Sequence, residues 1–324
     1  MSAVDLGPTA RGPIAVVGGG SIGVAWALVF ARAGHEVRVY DVDPGRLAAV
    51  SGELAKRADE LVQYGLLEHP GALLARVHVA DDLAAAVVGT AYVQECVVES
   101  VDVKRSVFAA LDDAAPADAV LASSTSMIPC SRFASELPGR ARCLVAHPGN
   151  PPYLLPVTEL VPAPFTEPAT VDRAADVLVG AGMTPVRICA EVEGFVFNRL
   201  QGALLREAYC LVRDGVVSAA DIDRVVSLGL GRRWAVVGPF ATAELNTRGG
   251  LERHAQVMGP AYARMGAERG QHDEWPPELV ARVAAEIHEQ LPPDEWEEHV
   301  LRRDRALMAL EAGRRAAGAR CSGS

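Results

Sequence analysis

The chain has 324 residues, half of them hydrophobic and 22% charged, with a formal net charge of −10. This length allows two domains with separate cores, in a protein of ordinary soluble composition. The acidic balance, without a basic stripe, argues against nucleic acid as a partner. The N-terminus does not resemble a signal peptide, and three glycines interrupt the uncharged stretch 13–31, so we expect no membrane span.

The first part of the chain alternates between short apolar strands and helices. A strand is predicted over 13–17, a helix over 21–33 and a second strand over 36–40, which together form a βαβ unit. Further strands are predicted near 77–79, 92–96, 119–123, 142–146, 157–161 and 184–188, and further helices from 44 and near 81–88, 101–112 and 168–181. This alternation predicts an α/β fold with a Rossmann-type, doubly wound and mostly parallel sheet.

Strand signals become scarce after residue 190. Helical patterns follow over 195–213, 219–228, 239–258, 276–291 and 294–315. We therefore place a boundary near 190 and predict an α/β domain over 1–190 and an all-helical domain over 191–324.

A glycine-rich turn follows the first predicted strand and opens the first helix. Gly18, Gly20 and Gly23 allow a tight turn whose backbone N–H groups, with those of Ser21 and Ile22, approach a pyrophosphate at the helix N-terminus. Asp41 ends the next strand, where a carboxylate binds a ribose 2′-hydroxyl and repels a 2′-phosphate. The pattern predicts a dinucleotide site that favours NAD over NADP.

A histidine and a glutamate lie in two later apolar strands. His147 ends the strand 142–146, and Glu159 lies within 157–161, where an unpaired carboxylate would be costly to bury. Pairing would satisfy both groups and would make the imidazole a general base. A purely structural pair is the alternative.

Hydroxyl and amide side chains provide further candidates. The hydroxyl run 123–126 follows an apolar strand and so faces the ligand crevice of such a sheet, or else caps a turn. Asn198 either donates to a substrate oxygen or caps its helix. The six cysteines lack metal-like spacing, so we expect no metal and assign them to buried thiols in a cytoplasmic protein.

Motifs in a fixed order along the chain carry a family resemblance. They are Gly18–Gly23, 95–99 (ECVVE), Ser123–Ser126, 147–153 (HPGNPPY), 159–162 (ELVP), 194–201 (GFVFNRLQ) and 229–235 (GLGRRWA). With them the chain resembles the 3-hydroxyacyl-CoA dehydrogenase superfamily, and most of all its sugar-acid branch, which contains lambda-crystallin and has L-gulonate 3-dehydrogenase activity.

The resemblance implies a role for each matching position. It makes His147 the catalytic base, Glu159 its partner, and Ser126 and Asn198 the ligands of the reacting oxygen. It places Glu99 and Lys104 near the nicotinamide and its ribose. The substrate residues that it implies are Arg233, a candidate carboxylate clamp or else a surface ion pair, Asn150 and Ser126.

The resemblance also implies NAD as cofactor, a homodimer, and a helical domain that serves substrate binding and dimerisation. Two positions depart from the close branch. Val98 replaces a usual proline, and Gly149 replaces a larger residue. Because both are expected near the pocket, they leave the exact substrate open.

Several functions remain open at this stage. L-gulonate or another short 3-hydroxy acid is the first choice, and carnitine would need an aromatic cage to which Trp234 or Tyr153 contributes. A 3-hydroxyacyl-CoA is disfavoured because the chain has only two lysines, Lys56 and Lys104, for its phosphates. The β-hydroxyacid dehydrogenases rely on a catalytic lysine, and the absence of any lysine after Lys104 argues against them. Short-chain dehydrogenases need Tyr-x-x-x-Lys, and no tyrosine here has a lysine four residues on. A crystallin-like protein that binds NADH without turnover is the non-enzymatic alternative.

Overall fold

A computed structural model describes residues 12–248, 250–269, 278 and 292–321 of the chain. Its centre is one eight-stranded sheet. The strands are β1 (Ile14–Val17), β2 (Val37–Tyr40), β3 (Val77–Val79), β4 (Tyr92–Glu95), β5 (Val120–Ser123), β6 (Cys143–Pro148), β7 (Val157–Pro162) and β8 (Thr184–Arg187).

The strand order is β3-β2-β1-β4-β5-β6-β7-β8, and every neighbouring pair is parallel except β6 with β7. The direction of winding reverses between β1 and β4, which is where doubly wound sheets bind ligands at the carboxyl ends of their strands. The carboxyl ends of β1, β4, β5 and β6 therefore share one edge. The predicted fold class is confirmed.

The helices of this part of the chain are α1 (Ser21–Arg32), α2 (Pro44–Gln63), α3 (Pro70–Leu74), α4 (Leu83–Val87), α5 (Val101–Ala114), α6 (Ser131–Ala134) and α7 (Pro168–Gly180). Helix α1 is apolar on all sides, and its residues from Gly23 to Ala31 are buried. Such a helix must lie inside the core. Its Phe30 ring packs edge-on against Tyr92 of β4 with ring centroids 5.8 Å apart, which holds the helix of the glycine turn against the sheet.

The later elements are helical, as predicted. They are α8 (Phe197–Arg213), α9 (Ala219–Val225), a π-helical turn (Val226–Leu230), α10 (Gly231–Trp234), α11 (Pro239–Asn246), α12 (Gly250–Arg269) and α13 (Trp296–Cys321). The single helix predicted over 239–258 is wrong. Thr247 is extended, Gly250 has φ +75°, and the Glu244 carboxylate accepts the Leu251 N–H, so a new helix begins there. The helix predicted over 276–291 lies outside the described residues, apart from residue 278.

The chain divides into two compact units. One contains the described residues up to Arg199 and those from Leu301 onward, and the other is Leu200–Val300. The end of α13 thus belongs to the unit of the sheet, whereas the prediction places all of 191–324 in one helical domain. The reason is an apolar contact, since Met308 is fully buried in the core beside the sheet. No helix within the described ranges is both long and apolar enough to cross a membrane.

Candidate active site

The turn between β1 and α1 depends on glycine for two separate reasons. Gly18 has φ +112°, and a Cβ there would lie 2.6 Å from the carbonyl oxygen of Cys96. A Cβ on Gly23 would lie 1.8 Å from the carbonyl oxygen of Gly18. By contrast, a Cβ on Gly20 would meet no atom within 4 Å. Gly18 and Gly23 are therefore required by the fold, and the space at Gly20 is open to a ligand.

Two residues that follow Gly20 begin helix α1. Ser21 is exposed, and its carbonyl and hydroxyl oxygens accept hydrogen bonds of 2.9 and 3.1 Å from Arg57 of α2. Ile22 packs against the core and so anchors the first turn of the helix. Their backbone N–H groups belong to the free N-terminus of a helix, which attracts an anion.

Asp41 lies beside this turn at the end of β2. One carboxylate oxygen accepts the Gly19 N–H at 2.7 Å and the other accepts the Asp43 N–H at 2.9 Å. Asp41, Gly18 and Gly20 line a cleft of about 640 Å³ whose other walls are mainly apolar. Val98, which departs from the close branch, also lines it. A glycine cradle, an acidic end and an apolar wall fit a dinucleotide.

His147 and Glu159 form a buried pair. They lie directly opposite each other in the antiparallel register of β6 and β7, so both side chains project from one face of the sheet. The Nδ1 atom of His147 is 2.8 Å from Oε2 of Glu159, and the two residues are 6% and 3% exposed. The pairing predicted from the sequence is present.

The surroundings of Glu159 fix the proton of the imidazole. Its Oε1 accepts the N–H groups of Val196 and Phe197 at 2.7 and 3.0 Å. Burial raises the pKa of Glu159, but the hydrogen bonds from His147, Phe197 and Val196 outweigh burial and lower it. An ionised carboxylate can only accept, so Nδ1 of His147 carries the proton. In the neutral imidazole, Nε2 is then left as the proton acceptor.

The segment after β8 packs onto the same pair. Phe195 is fully buried with φ +49°, a left-handed conformation that costs a non-glycine residue roughly 1–3 kcal/mol. Its ring lies 5.7 Å from the imidazole of His147, and the ring of Phe197 lies 6.0 Å away. The strained turn thus presents both the backbone donors to Glu159 and an apolar enclosure to His147.

Ser126 and Asn198 are brought together by the backbone. The Nδ2 atom of Asn198 donates to the carbonyl oxygen of Ser126 at 2.8 Å. Glu99 holds the same loop from the other side, because its Oε1 accepts the Ser126 N–H at 3.0 Å and the Thr125 hydroxyl at 2.5 Å. Three residues that were predicted separately therefore form one hydrogen-bonded cluster.

Lys104 is placed differently from the other predicted cofactor residues. It is 1% exposed, and its Nζ donates to both carboxylate oxygens of Glu95 at 3.0 and 3.1 Å and to Ser123 at 3.5 Å. Its distance to Oε2 of Glu99 is 3.9 Å. Burial raises the pKa of Glu95, while the charge of Lys104 opposes this shift. The ammonium faces the protein interior.

The remaining predicted residues are Asn150, Arg233, Tyr153 and Gly149. Asn150 is exposed at the turn after β6. Arg233 is exposed on α10, in the helical unit. Tyr153 is buried, with its hydroxyl donating to Asp304 at 3.3 Å and the guanidinium of Arg57 over its ring, so that ring is not free to form a cation cage. A Cβ on Gly149 would lie 2.9 Å from Cβ of Leu155, which explains the small residue.

Glu95 has no predicted role, and Ser123, predicted with the hydroxyl run 123–126 to face the crevice or cap a turn, is fully buried. They are register partners on β4 and β5, and Ser123 donates to Oε2 of Glu95 at 2.5 Å. The signal that identifies Glu159, a carboxylate on an apolar strand, is equally present at Glu95. The donors Val196 and Phe197 act through backbone N–H groups, for which the sequence has no signal.

Comparisons with known proteins place the chain in a family. Residues 13–192 match the model of the 3-hydroxyacyl-CoA dehydrogenase NAD binding domain, and residues 194–286 match that of the 3-hydroxyacyl-CoA dehydrogenase C-terminal domain. Among curated proteins, the chain is 38% identical to lambda-crystallin of Oryctolagus cuniculus, over 91% of this chain and 95% of that protein. It is 40% identical to an L-carnitine dehydrogenase of Streptomyces griseus, over 76% and 74%.

A solved structure covers almost the whole chain. The chain superposes on 5-formyl-3-hydroxy-2-methylpyridine-4-carboxylic acid 5-dehydrogenase, described as an NAD+ dependent dismutase, with a TM-score of 0.80. The identity is 30%, over 92% of this chain and 97% of that one.

Proposed function

The chain belongs to the 3-hydroxyacyl-CoA dehydrogenase family of NAD-dependent oxidoreductases acting on CH–OH groups, and from this premise we propose its substrate and its catalytic residues. The proposed reaction is oxidation of the 3-hydroxyl of a small hydroxy acid to a 3-keto acid, with L-gulonate as the first candidate. The alternatives are L-carnitine, 3-hydroxybutyrate and a 3-hydroxyacyl-CoA.

The observation that carries the proposal is the buried contact of His147 Nδ1 with the Glu159 carboxylate. Because the pKa of Glu159 is lowered and its carboxylate accepts the Nδ1 proton at 2.8 Å, Nε2 is the proton acceptor when the ring is neutral. Such acid–base help contributes roughly 10²–10⁴-fold to a rate.

In the proposed mechanism, each side chain has one task. His147 removes the hydroxyl proton at Nε2, and Glu159 stabilises the imidazolium that forms. Ser126 and the second N–H of Asn198 donate to the oxygen as it becomes a carbonyl. In reduction, His147 returns the proton to that oxygen.

The cofactor residues follow from the cradle. The backbone beside Gly18, Gly20 and the first turn from Ser21 to Gly23 would hold the pyrophosphate of NAD, Asp41 the adenosine ribose, and Glu99 the nicotinamide end. NAD⁺ supplies the hydride acceptor of the reaction when it is bound. The open space over Gly20 and the cleft at Asp41 support this assignment.

We assign Arg233 and Asn150 to the substrate. A guanidinium binds a carboxylate through two parallel hydrogen bonds, and a small hydroxy acid carries that group. We further propose that residues 1–190 hold NAD, that 191–324 bind substrate and pair two copies as a homodimer, and that the protein acts in the cytoplasm.

The test is NADH formation from NAD⁺ with L-gulonate, L-3-hydroxybutyrate or L-carnitine, with acetoacetyl-CoA reduction as the reverse assay and NADP⁺ as the control cofactor. We expect turnover of L-gulonate. In Arg233→Ala, KM for L-gulonate should rise roughly tenfold or more, the loss expected of a charged hydrogen-bonded pair. Arg232→Ala, the neighbouring exposed arginine on α10, should leave KM unchanged.

Other outcomes of this assay separate the alternatives. Turnover of L-carnitine or of the CoA ester alone would replace the proposed substrate and keep the proton acceptor. NADH binding without turnover of any hydroxy acid would contradict the enzymatic proposal and favour a protein that only binds the cofactor.

Carnitine is the second candidate because the Streptomyces griseus relative is named an L-carnitine dehydrogenase. Recognition of its trimethylammonium group would need aromatic faces. The face of Tyr153 is already covered by Arg57, which leaves Trp234 as the aromatic residue named for such a cage. This is why L-gulonate is placed first.

A further inference from the structure

A buried ion pair that the proposed chemistry does not use is connected to the loop of Ser126. Glu95 at the end of β4 and Lys104 in α5 are 0% and 1% exposed. Besides Lys104, the Glu95 carboxylate accepts the Val97 N–H at 2.6 Å and the Ser123 hydroxyl at 2.5 Å. A buried ammonium is costly unless a carboxylate neutralises it, so Lys104 depends on its counter-ion.

Lys104 lies between two carboxylates, and its ammonium is closer to one of them than to the other. Its Nζ is 3.0 Å from Oε1 of Glu95 and 3.9 Å from Oε2 of Glu99. Meanwhile Oε1 of Glu99 accepts hydrogen bonds from Thr125, Ser126 and Met127. If Glu99 turned toward the ammonium, these three donors would lose their acceptor. The direction of Glu99 therefore depends on which carboxylate neutralises Lys104.

We infer that Glu95 is a positioning residue of the active site. By holding the ammonium of Lys104, it leaves Glu99 bonded to the loop 125–127, and the carbonyl of Ser126 then keeps Asn198 in place. The effect of Glu95 on turnover rests on the proposed function, since it acts through Ser126 and Asn198. The effect of Glu95 on the direction of Glu99 is independent of the proposed function.

The first variant is Glu95→Gln, which keeps the size of the side chain and removes its charge. Glu99 becomes the nearest carboxylate to Lys104 and should turn toward it. Misplacement by about 1 Å can cost a rate roughly 10²-fold, and kcat should fall by about that factor. NADH should still bind, because the glycine turn and Asp41 are untouched, but its Kd should rise, because Glu99, assigned above to the nicotinamide end, has moved. An unchanged kcat would overturn the inference.

The second variant removes both charges, as Glu95→Gln/Lys104→Met. Without an ammonium nothing attracts Glu99, so its Oε1 should again lie within hydrogen-bond distance of the Ser126 N–H in a crystal structure of the double variant. This readout is independent of any contact between Lys104 and the cofactor. If Glu99 stays turned away from Ser126 in the double variant, the ammonium of Lys104 is not what attracts it, and the inference fails.

Asp112→Asn is the matched control for stability. It breaks the ion pair of Asp112 with Arg142, which is 2.8 Å long against 3.0 Å for Lys104 and Glu95 and is almost as buried. Asp112 lies near the C-terminal end of α5, and Arg142 lies before the amino end of β6, away from the loop of Ser126. It should lower Tm and leave kcat unchanged. A similar fall of kcat in Asp112→Asn would show that any lost buried charge impairs turnover, and would overturn the inference.

Crystal structures of the full chain and of Glu95→Gln separate this inference from the proposed function. The contact of Glu99 Oε1 with the Ser126 N–H should be present in the first and lost in the second, with Glu99 within 3.5 Å of Lys104 Nζ, ordinary hydrogen-bond range. Retention of the contact in the variant overturns the inference. This measurement needs no substrate, and it decides the inference even where no hydroxy acid is turned over.

Discussion

The glycine turn after β1 and the His147–Glu159 pair lie at the same edge of one sheet, yet they are built in opposite ways. The turn is local, because Gly18 and Gly23 are five residues apart and their close approach is fixed by backbone geometry. The pair is non-local, because it exists only in the antiparallel register of β6 and β7. Local backbone geometry suits a fixed cofactor cradle, whereas strand register delivers two side chains to one point for proton transfer.

The largest expected effect separates the two regions by function. In His147→Ala the proton acceptor is lost, and kcat should fall roughly 10²–10⁴-fold. NADH should bind with an unchanged Kd, measured by quenching of protein fluorescence, because the glycine turn lies elsewhere on the sheet edge. Near-normal turnover in this variant would remove His147 from the mechanism.

A smaller effect concerns the pH dependence of the pair. The carboxyl of Glu159 has a lowered pKa in the folded protein, so its ionised form stabilises the fold. That stabilisation is fully present above the pKa of an unfolded glutamate, about 4.3, and is lost as pH falls through the lower folded-state pKa. Above that window, Glu159→Gln should cost roughly 2 kcal/mol, as expected for charged hydrogen bonds.

The measurement is the free energy of unfolding of the original chain and of Glu159→Gln between neutral and acidic pH. Their difference should shrink as pH decreases. A difference that stays constant down to the lowest pH would mean that the carboxyl is not ionised in the folded protein, and the assigned tautomer of His147 would then be wrong.

The smallest expected effect concerns Gly20, the glycine of the turn that the fold itself does not require. Gly20 has φ −74°, and a Cβ there meets open space, so Gly20→Ala should leave Tm unchanged. The methyl group would obstruct the pyrophosphate, and Kd for NADH should rise by about tenfold, or about 1.4 kcal/mol.

Gly52→Ala is the matched control, since Gly52 lies inside α2 with open space around its Cβ position. It should leave NADH binding unchanged and stabilise the helix by about 0.5–1 kcal/mol. If Gly20→Ala binds NADH as tightly as Gly52→Ala does, the cradle does not hold the cofactor in the way proposed here.

Prediction from the sequence was most successful where the pattern is local. The strands of the first βαβ unit, Gly18 to Gly23, and Asp41 follow from apolar runs and turn chemistry. The single helix predicted over 239–258 is wrong because the backbone of Gly250 is left-handed, with φ +75°, and interrupts it. The sequences on both sides of Gly250 have a helical pattern, so the pattern does not show the break. The sequence also did not show that the residues from Leu301 onward belong to the unit of the sheet. The burial of Met308 there depends on a core formed by residues far away in the chain.

The sequence by itself determined the class of the fold, the dinucleotide turn and the presence of a histidine and a carboxylate on two apolar strands. Those features depend on residue types and short spacings, which act over a few residues of chain. Only the tertiary structure decided that Glu159 accepts from Val196 and Phe197 as well as from His147, and that Lys104 faces Glu95 instead of the cleft. These contacts join residues 9 to 38 positions apart in the chain. They form because a buried charge needs a hydrogen-bonding partner, and no local sequence pattern shows which residue that partner will be.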